Sequence, residues 1–211
     1  MTRLAVPALY LAFGLAACSA LSLTAGPVTD SSYALPSGER VLELSATIPA
    51  SLEDTWRMFT TSTGYGSWAA PFADIDLRVG GQYETGYALG GRAGDPGNIR
   101  NRIIALVPLR LVVVRNEQAQ ASQAFDLPTF QTLQTAIHFT SISERETRVT
   151  LQNAGYRSGA NYDGVYKFFL VGNRWVLRQL RERFDKGPTV WPQPTRLEGA
   201  KPGGGAAKTA Q

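Results

Sequence analysis

Side chains suited to acid–base, nucleophilic or metal chemistry are scarce in this chain. Its 211 residues include one cysteine, Cys18, and one histidine, His138. Protein zinc sites usually take three or four ligands, so this pair is too few to build one. His138 alternates with the apolar Ile137 and Phe139, a period-two pattern that predicts a strand with the imidazole facing solvent. We therefore expect no metal, no cofactor and no catalytic residue.

Cys18 follows a segment with the features of a secretion signal. Arg3 supplies a positive start, and residues 4–17 run without a charge and end in small residues. As a helix this segment would be about 21 Å long, short of the roughly 30 Å hydrocarbon core of a bilayer. The pattern is typical of the apolar region of a signal peptide rather than of a membrane-spanning helix.

The four residues Leu15-Ala16-Ala17-Cys18 resemble the lipobox of bacterial lipoproteins. The resemblance implies cleavage before Cys18 and acylation of its sulfur and its new amino group. Lipidation would also account for a lone cysteine in an oxidising compartment. The alternative is an ordinary signal peptide that is cut after Ala20. We expect a lipid-anchored envelope protein facing the periplasm, sorted to the outer membrane of a Gram-negative cell because Ser19, not aspartate, follows the cysteine.

Composition divides the chain into four parts. Residues 1–17 are the predicted signal peptide, residues 18–39 a flexible tether, and residues 187–211 a disordered tail rich in proline and glycine. Residues 40–186 remain as one domain of ordinary size. The formal charge of +4 falls to +3 once Arg3 is removed, and this weak balance argues against a nucleic-acid partner.

Within the domain, the spacing of apolar residues changes between the strand period and the helix period. Alternating segments predict strands at residues 41–48, 73–79, 82–89, 99–107, 109–115, 132–143 and 147–156. Ser51, followed by acidic residues, predicts the N-cap of a short helix, and a second short helix is expected at 63–68. Three- and four-residue spacing predicts a long helix over 161–186. The expected fold class is α+β, an antiparallel sheet with helices on one face.

Four arginines crowd the second half of the predicted long helix: Arg174, Arg178, Arg181 and Arg183. Cations at this end complement the negative end of the helix dipole. We interpret them as a solvated helix face, with contact to anionic lipid as the alternative.

Three segments of the domain resemble a known family: Ile48–Trp56 with Phe59-Thr60-Thr61, Asp76–Tyr83, and the long terminal helix. They resemble the START-like helix-grip superfamily (SRPBCC), in particular the branch named after activators of a chaperone ATPase. The resemblance implies a curved antiparallel sheet wrapped around a long C-terminal helix, with two short helices after the first strand. Gly172 and Trp175, adjacent in most relatives, are separated here. Because the chain also carries a secretion signal, chaperone activation is not expected.

In this superfamily the sheet and the helix enclose a cavity, and the resemblance implies an apolar or amphipathic ligand within it. The strand and helix parities direct five aromatic residues toward that space: Tyr83, Tyr87, Phe139, Tyr166 and Phe169. Plain core packing is the alternative for each. Asn173 falls on the apolar face of the helix, where an unsatisfied amide would cost about 1–3 kcal/mol. Either the cavity or a hydrogen bond to a strand would satisfy it.

These patterns together predict an envelope lipoprotein whose domain binds a small hydrophobic or amphipathic ligand. Two alternatives stay open. A cyclase- or aromatase-like enzyme would use the same cavity, with tyrosines of pKa near 10 as the only ready acids or bases. In a ligand-free interaction module, side chains would instead fill the space between sheet and helix.

Overall fold

The computed structural model describes residues 28–119 and 126–192. The strands within these ranges are β1 (Thr29–Asp30), β2 (Tyr33–Ala34), β3 (Arg40–Ile48), β4 (Phe72–Ile75), β5 (Gln82–Gly86), β6 (Ile99–Val107), β7 (Leu111–Gln118), β8 (Gln134–Ser143) and β9 (Glu146–Tyr156). The helices are α1 (Leu52–Thr60), α2 (Ser62–Gly66), α3 (Leu127–Gln131) and α4 (Ala160–Lys186). Cys18 and the predicted signal peptide lie outside the described residues. Within those residues, no helix combines the length and apolarity needed to cross a bilayer.

The strands form one antiparallel sheet in the order β1-β3-β9-β8-β7-β6-β5-β4, and β2 pairs with the same edge of β3 as β1. The pair β3 and β9 stays in register from Leu42–Asn153 to Ile48–Thr147. Helix α4 packs across these two strands. A curved sheet closed by one long helix, with two short helices after β3, confirms the α+β helix-grip expectation.

Helix α1 begins where the sequence predicts. The Ser51 hydroxyl accepts a hydrogen bond from the backbone N–H of Asp54 at 3.1 Å, so it satisfies one of the free donors of the first turn. Trp56 and Phe59 lie one turn apart and are both buried. Their rings meet Phe139 of β8 edge-on, at centroid distances of 5.1 and 5.5 Å. This aromatic cluster fixes α1 on the inner face of the sheet.

Helix α4 follows the predicted span within one residue, but Arg181 differs from the expected solvated position. Leu177 and Leu180 are fully buried, and Arg181 beside them is only 6 % exposed. Its Nη1 donates to the carbonyl oxygen of Thr47 at 2.5 Å, near the end of β3. The helical period places Arg181 next to the buried leucines, so its aliphatic stem packs with them while its head reaches a backbone acceptor. Arg178 remains exposed, as expected.

The second half of the predicted tether belongs to the sheet. Asp30 lies opposite Leu44 and Tyr33 opposite Val41, so residues 29–34 add two short strands to the edge of β3. Arg174 of α4 donates to the Asp30 carboxylate at 2.7 Å. Composition does not predict this strand pairing, because the pairing is made by backbone groups, which every residue type carries.

The predicted tail also begins with ordered contacts, on the segment that ends α2. The N–H of Thr189 donates to the carbonyl oxygen of Ser67 at 2.8 Å, and Trp191 Nε1 donates to that of Gly66 at 2.7 Å. Arg183 Nε adds a hydrogen bond to the Ser67 hydroxyl at 3.0 Å. The folded unit therefore reaches Trp191 and does not end at residue 186.

Strands β4 and β5 are shorter than predicted because the chain turns early after each. Residues 87–98 form a loop that folds over Glu84 on the outer face of the sheet. The Glu84 carboxylate is fully buried and accepts hydrogen bonds from the Gly94 N–H at 2.8 Å and from Asn98 Nδ2 at 2.7 Å. These bonds hold the loop that carries Tyr87 at its start.

Candidate ligand-binding cavity

A cavity of about 150 Å³ lies between the inner face of the sheet and α4. Strands β5 to β9 and all four helices contribute to its wall. The lining residues are Phe59, Tyr65, Tyr83, Thr85, Tyr87, Ile99, Asn101, Val114, Asn116, Phe130, Thr135, Ile137, Leu151, Phe168, Phe169, Gly172, Asn173 and Val176. None of these side chains carries a charge at neutral pH, so the wall is apolar with a few neutral hydrogen-bonding groups.

Four of the six residues proposed from the sequence line this cavity: Tyr83, Tyr87, Phe169 and Asn173. Phe139 is not part of the wall. It has the same inward parity as Ile137, which does line the cavity, but it lies further along β8, where the rings of Trp56 and Phe59 enclose it. Phe139 is therefore a core residue in the structure.

Tyr166 also lies outside the cavity wall. Its ring meets that of Tyr156 edge-on at a centroid distance of 5.0 Å. The guanidinium carbon of Arg40 sits 4.9 Å from the centre of the Tyr166 ring, a cation–π distance. Tyr166 thus joins the first turns of α4 to the start of β3 and the end of β9.

Three tyrosines form one side of the cavity. The Tyr83 hydroxyl donates to the carbonyl oxygen of Phe59 at 2.8 Å, and its ring meets Tyr65 edge-on at 5.6 Å. Although 38 % of Tyr87 is exposed, its hydroxyl lies beside those of Tyr65 and Thr85. Burial raises the pKa of all three phenols, and Tyr87 adds to the rise at Tyr65 and Tyr83. All three stay protonated at neutral pH and act there as hydrogen-bonding groups, not as bases.

A chain of polar side chains crosses from α4 to the sheet. Asn173 Nδ2 donates to Asn153 Oδ1 at 2.5 Å, and Asn153 Nδ2 donates to Thr135 Oγ1 at 2.6 Å. Asn173 and Thr135 line the cavity, whereas Asn153 is fully buried behind them. The hydrogen bond to a strand that the sequence left as one alternative for Asn173 is present, and the same residue also faces the cavity.

Two further amides of the wall were not singled out from the sequence. Asn101 lies opposite Tyr83 across β5 and β6, and Asn116 lies opposite Asn101 across β6 and β7. Asn116 Nδ2 donates to the carbonyl oxygen of Phe130 at 3.2 Å. Strand parity could have identified Asn101, because it lies on the same inward side of β6 as Ile99. An amide among inward-facing apolar residues indicates either a buried hydrogen bond or a cavity.

Helix α3 closes the wall beside α4 and had no counterpart among the predicted elements. It begins at a cap formed by the Asp126 carboxylate, which accepts from the N–H of Thr129 at 2.9 Å. Its Phe130 stacks on Phe169 of α4, with ring centroids 5.9 Å apart and planes within 11° of parallel. The five-residue length of α3 explains the miss, since one turn shows no helical period.

The wall offers a bound molecule aromatic rings, aliphatic side chains, hydroxyls and neutral amides. No carboxylate, imidazole, amine or guanidinium occurs among the described residues that line it. Nor do residues 28–119 and 126–192 contain a group of histidine, cysteine, aspartate or glutamate side chains that could hold a metal. His138 lies in register with Leu111 and Thr150, two residues of the opposite parity to the wall. The lining offers no group that changes protonation near neutral pH.

The family described as "Activator of Hsp90 ATPase homolog 1-like protein" matches residues 49–185, well over half of the chain. The chain belongs to this family. Every residue of the cavity wall falls within the matched range, so the cavity is part of the Hsp90 ATPase activator homologue domain itself. No curated protein matches the chain.

Solved structures show the same fold as this activator-homologue domain. The solution structure of CalU16 from Micromonospora echinospora has 17 % identity and a TM-score of 0.54, covering 78 % of this chain and 78 % of that one. The protein MLL2253 from Mesorhizobium loti has 16 % identity and a TM-score of 0.54, covering 70 % and 98 %. The Aha1 dimer from Colwellia psychrerythraea has 14 % identity and a TM-score of 0.50, covering 70 % and 97 %. At these identities the likeness concerns the fold alone.

Proposed function

We propose that the domain binds a small uncharged molecule, apolar or amphipathic, in the cavity between the sheet and α4. One observation carries the proposal: the cavity is walled by rings and aliphatic side chains, and its polar groups are neutral hydrogen-bonding ones. Small-molecule sites in proteins are usually mostly apolar concave pockets with a few well-placed polar groups. Proteins of the wider helix-grip superfamily bind hydrophobic ligands, which supports the same proposal.

The volume of the cavity limits the size of the ligand. At about 150 Å³, it is comparable with an engineered protein cavity that holds one benzene molecule. One ring or a short chain would fill it. A long acyl chain would exceed this volume and would have to extend beyond the lining residues.

The lining argues against the two alternative functions. A cyclase or aromatase needs a general acid or base, and the tyrosines that could serve have pKa values raised by burial, away from neutral pH. An interaction module that binds no ligand would be expected to have a filled core, because a packed core is more stable than one with a cavity. The open cavity therefore favours ligand binding.

We propose that the protein is located in the cell envelope and that an acylated Cys18 anchors it to the membrane. Support comes from the apolar residues 4–17 and the sequence Leu15-Ala16-Ala17-Cys18. Val28 lies ten residues after Cys18, a distance of at most about 35 Å in an extended chain, so the domain would stay close to the bilayer surface. Activation of a cytosolic chaperone is not proposed, because such a signal would carry the domain across the inner membrane.

Two glycines of α4 allow a direct test of the binding site. A Cβ atom built on either Gly172 or Gly164 meets open space, but Gly172 lines the cavity and Gly164 is exposed on the outer side of the helix. Gly172→Leu is expected to fill the cavity and abolish binding of a fluorescent aromatic or fatty-acid probe. Gly164→Leu gains the same helix propensity, up to about 1 kcal/mol, and should bind as the wild type does.

The measurements are probe titration, thermal melting, and native mass spectrometry of the protein purified from its own membrane. Saturable binding that Gly172→Leu removes and Gly164→Leu keeps would support the proposal, as would a retained small molecule in the native spectrum. A wild-type protein without saturable binding would overturn it. Equal binding by Gly172→Leu would show that the probe occupies another site.

A further inference from the structure

In the polar chain Asn173–Asn153–Thr135, the amide of Asn173 is bonded through its nitrogen, and its oxygen is left for the cavity. Asn173 uses Nδ2 as a donor to Asn153 Oδ1, and Asn153 in turn uses Nδ2 as a donor to Thr135 Oγ1. The carboxamide oxygen of Asn173 accepts no hydrogen bond from the residues that the structure describes. Asn173 is 8 % exposed and lines the cavity, so this oxygen is an acceptor that remains accessible to a ligand.

We propose that the cavity selects ligands that carry a hydrogen-bond donor, a neutral N–H or O–H on a single aromatic ring system, and that Asn173 Oδ1 receives this donor. This inference rests on the proposed function, since it names the class of ligand for the same cavity. The apolar part of such a molecule would lie against Phe169 and the aliphatic residues of the wall. A ligand whose polar atom is only an acceptor leaves the Asn173 oxygen unsatisfied, which costs affinity.

The other polar groups of the wall differ in what they offer a ligand. The Tyr83 hydroxyl donates its hydrogen to the carbonyl oxygen of Phe59, so its oxygen can only accept from a ligand. The Tyr65 and Tyr87 hydroxyls lie beside each other, and hydroxyl groups can donate as well as accept. Asn101 carries both a donor and an acceptor and makes no hydrogen bond with another described side chain.

Asn116 resembles Asn173, because its Nδ2 donates to the carbonyl oxygen of Phe130 at 3.2 Å and its oxygen is left as an acceptor. The variants below separate Asn173 from this second amide, since only a preference that depends on Asn173 is lost in Asn173→Leu.

Indole and benzofuran test this selection, because they have nearly the same shape and differ in having a ring N–H donor or a ring oxygen. Their dissociation constants would be measured on the full chain by calorimetry or by chemical-shift titration. Indole is expected to bind about tenfold more tightly, the ratio given by one hydrogen bond of about 1.4 kcal/mol. Asn173→Leu should bring the ratio of the two constants close to one.

Two further variants make the test robust. Thr135→Val is isosteric and removes the acceptor that orients Asn153, so a folded Thr135→Val protein should also lose most of the preference for indole, even if Asn173→Leu does not fold. Asn101→Leu is the matched control, an amide of the same wall outside the polar chain, and should keep the preference whatever its effect on affinity.

The results of these titrations test the donor selection separately from the proposed function. Saturable binding of both compounds with equal constants, or tighter binding of benzofuran, would overturn the donor selection and leave the proposed function standing. A preference that survives in folded Asn173→Leu or Thr135→Val, or that disappears in Asn101→Leu, would also overturn it. Binding of neither compound, together with no binding of the fluorescent probe, would overturn both proposals.

Discussion

Asn173 of α4 and Asn153 of β9 are joined by a side-chain hydrogen bond of 2.5 Å. The bond links the helix to the sheet at the edge of the cavity. Asn153 is fully buried, so without this donor its carboxamide oxygen would have no partner in a dry environment. The same contact therefore contributes to the stability of the fold and to the polarity of the site.

The first prediction is that Asn173→Leu destabilises the protein by about 1–3 kcal/mol, because it strands the buried acceptor of Asn153. Denaturant melts of wild type and variant measure the difference. Replacing both residues by leucine should recover part of the loss, since neither partner is then left unsatisfied. Superimposable melts for wild type and Asn173→Leu would show that the hydrogen bond contributes no net stability.

The second prediction compares two phenylalanines in the same core. Phe59 is 2 % exposed and contacts three aromatic rings, at Tyr65, Trp68 and Phe139. Phe169 is half-buried and lies at the cavity. Both line the cavity, but only Phe169 is partly exposed, so Phe59→Ala is expected to cost about 3–5 kcal/mol and Phe169→Ala less. Equal losses in denaturant melts would mean that Phe169 packs as tightly as the core does.

The third prediction concerns the limits of the folded unit. A fragment of residues 28–192 keeps the pairing of residues 29–34 with β3 and the contacts of Thr189 and Trp191 with the end of α2. A fragment of residues 40–186 loses all of these. We expect the shorter fragment to fold but to melt roughly 5 °C lower or more, since a few hydrogen bonds of about 1 kcal/mol each are lost.

Circular dichroism melts of both fragments, with Trp191→Ala in the longer one, separate the contributions of the two ends. Coincident melting of the two fragments would mean that the terminal contacts are too weak to matter and that residues 40–186 suffice.

The sequence predicts the fold well because local patterns dominate it. The strand parities of β3 and β9, the Ser51 cap and the helical spacing of α4 each follow from periods of two or 3.6 residues. Part of the site follows as well, because parity identifies the inward side of a strand. Strand and helix parity predict that Tyr83 and Phe169 face the space between sheet and helix, and both line the cavity.

Parity cannot tell how far along a strand the space remains open. Ile137 and Phe139 are neighbours on one face of β8, yet only Ile137 lines the cavity, because Trp56 and Phe59 of α1 fill the space beside Phe139. Local periodicity also does not predict contacts between residues that are far apart in the sequence. The hydrogen bond from Arg181 to the Thr47 carbonyl joins residues 134 positions apart, and no local period signals it.

The fourth prediction is a dependence of stability on pH at Asp30. Hydrogen bonds from Ser32, then the nearby Arg174, hold the pKa of the Asp30 carboxyl below its ordinary value of 3.8. Since the folded-state pKa is the lower one, the stabilisation is present above the ordinary value and is lost as pH falls through the folded-state pKa. Asp30→Asn should therefore lower the melting temperature at neutral pH and have little effect at about pH 2.

Melting curves at both pH values test this, with the exposed Asp74→Asn as the matched control. A difference between wild type and Asp30→Asn that stays the same at the two pH values would show that the carboxylate charge is not responsible. The expected size at neutral pH is small, below about 1 kcal/mol, because the Asp30–Arg174 pair is partly solvated.

The last prediction concerns the proposed anchor. Cys18→Ser removes the thiol that would be acylated, and stable membrane attachment requires more than one acyl chain. We expect the variant to accumulate as an uncleaved precursor or a soluble species, whereas the wild type should fractionate with membranes. Ser19→Asp is the matched control, since it keeps the cysteine and should stay membrane-bound but shift to the inner membrane of a Gram-negative cell. Mass spectrometry of the mature N-terminus, together with fractionation, reads out both variants. If Cys18→Ser is processed normally and fractionates with membranes as the wild type does, Cys18 is not the anchor, and the signal peptide is an ordinary one cut after Ala20.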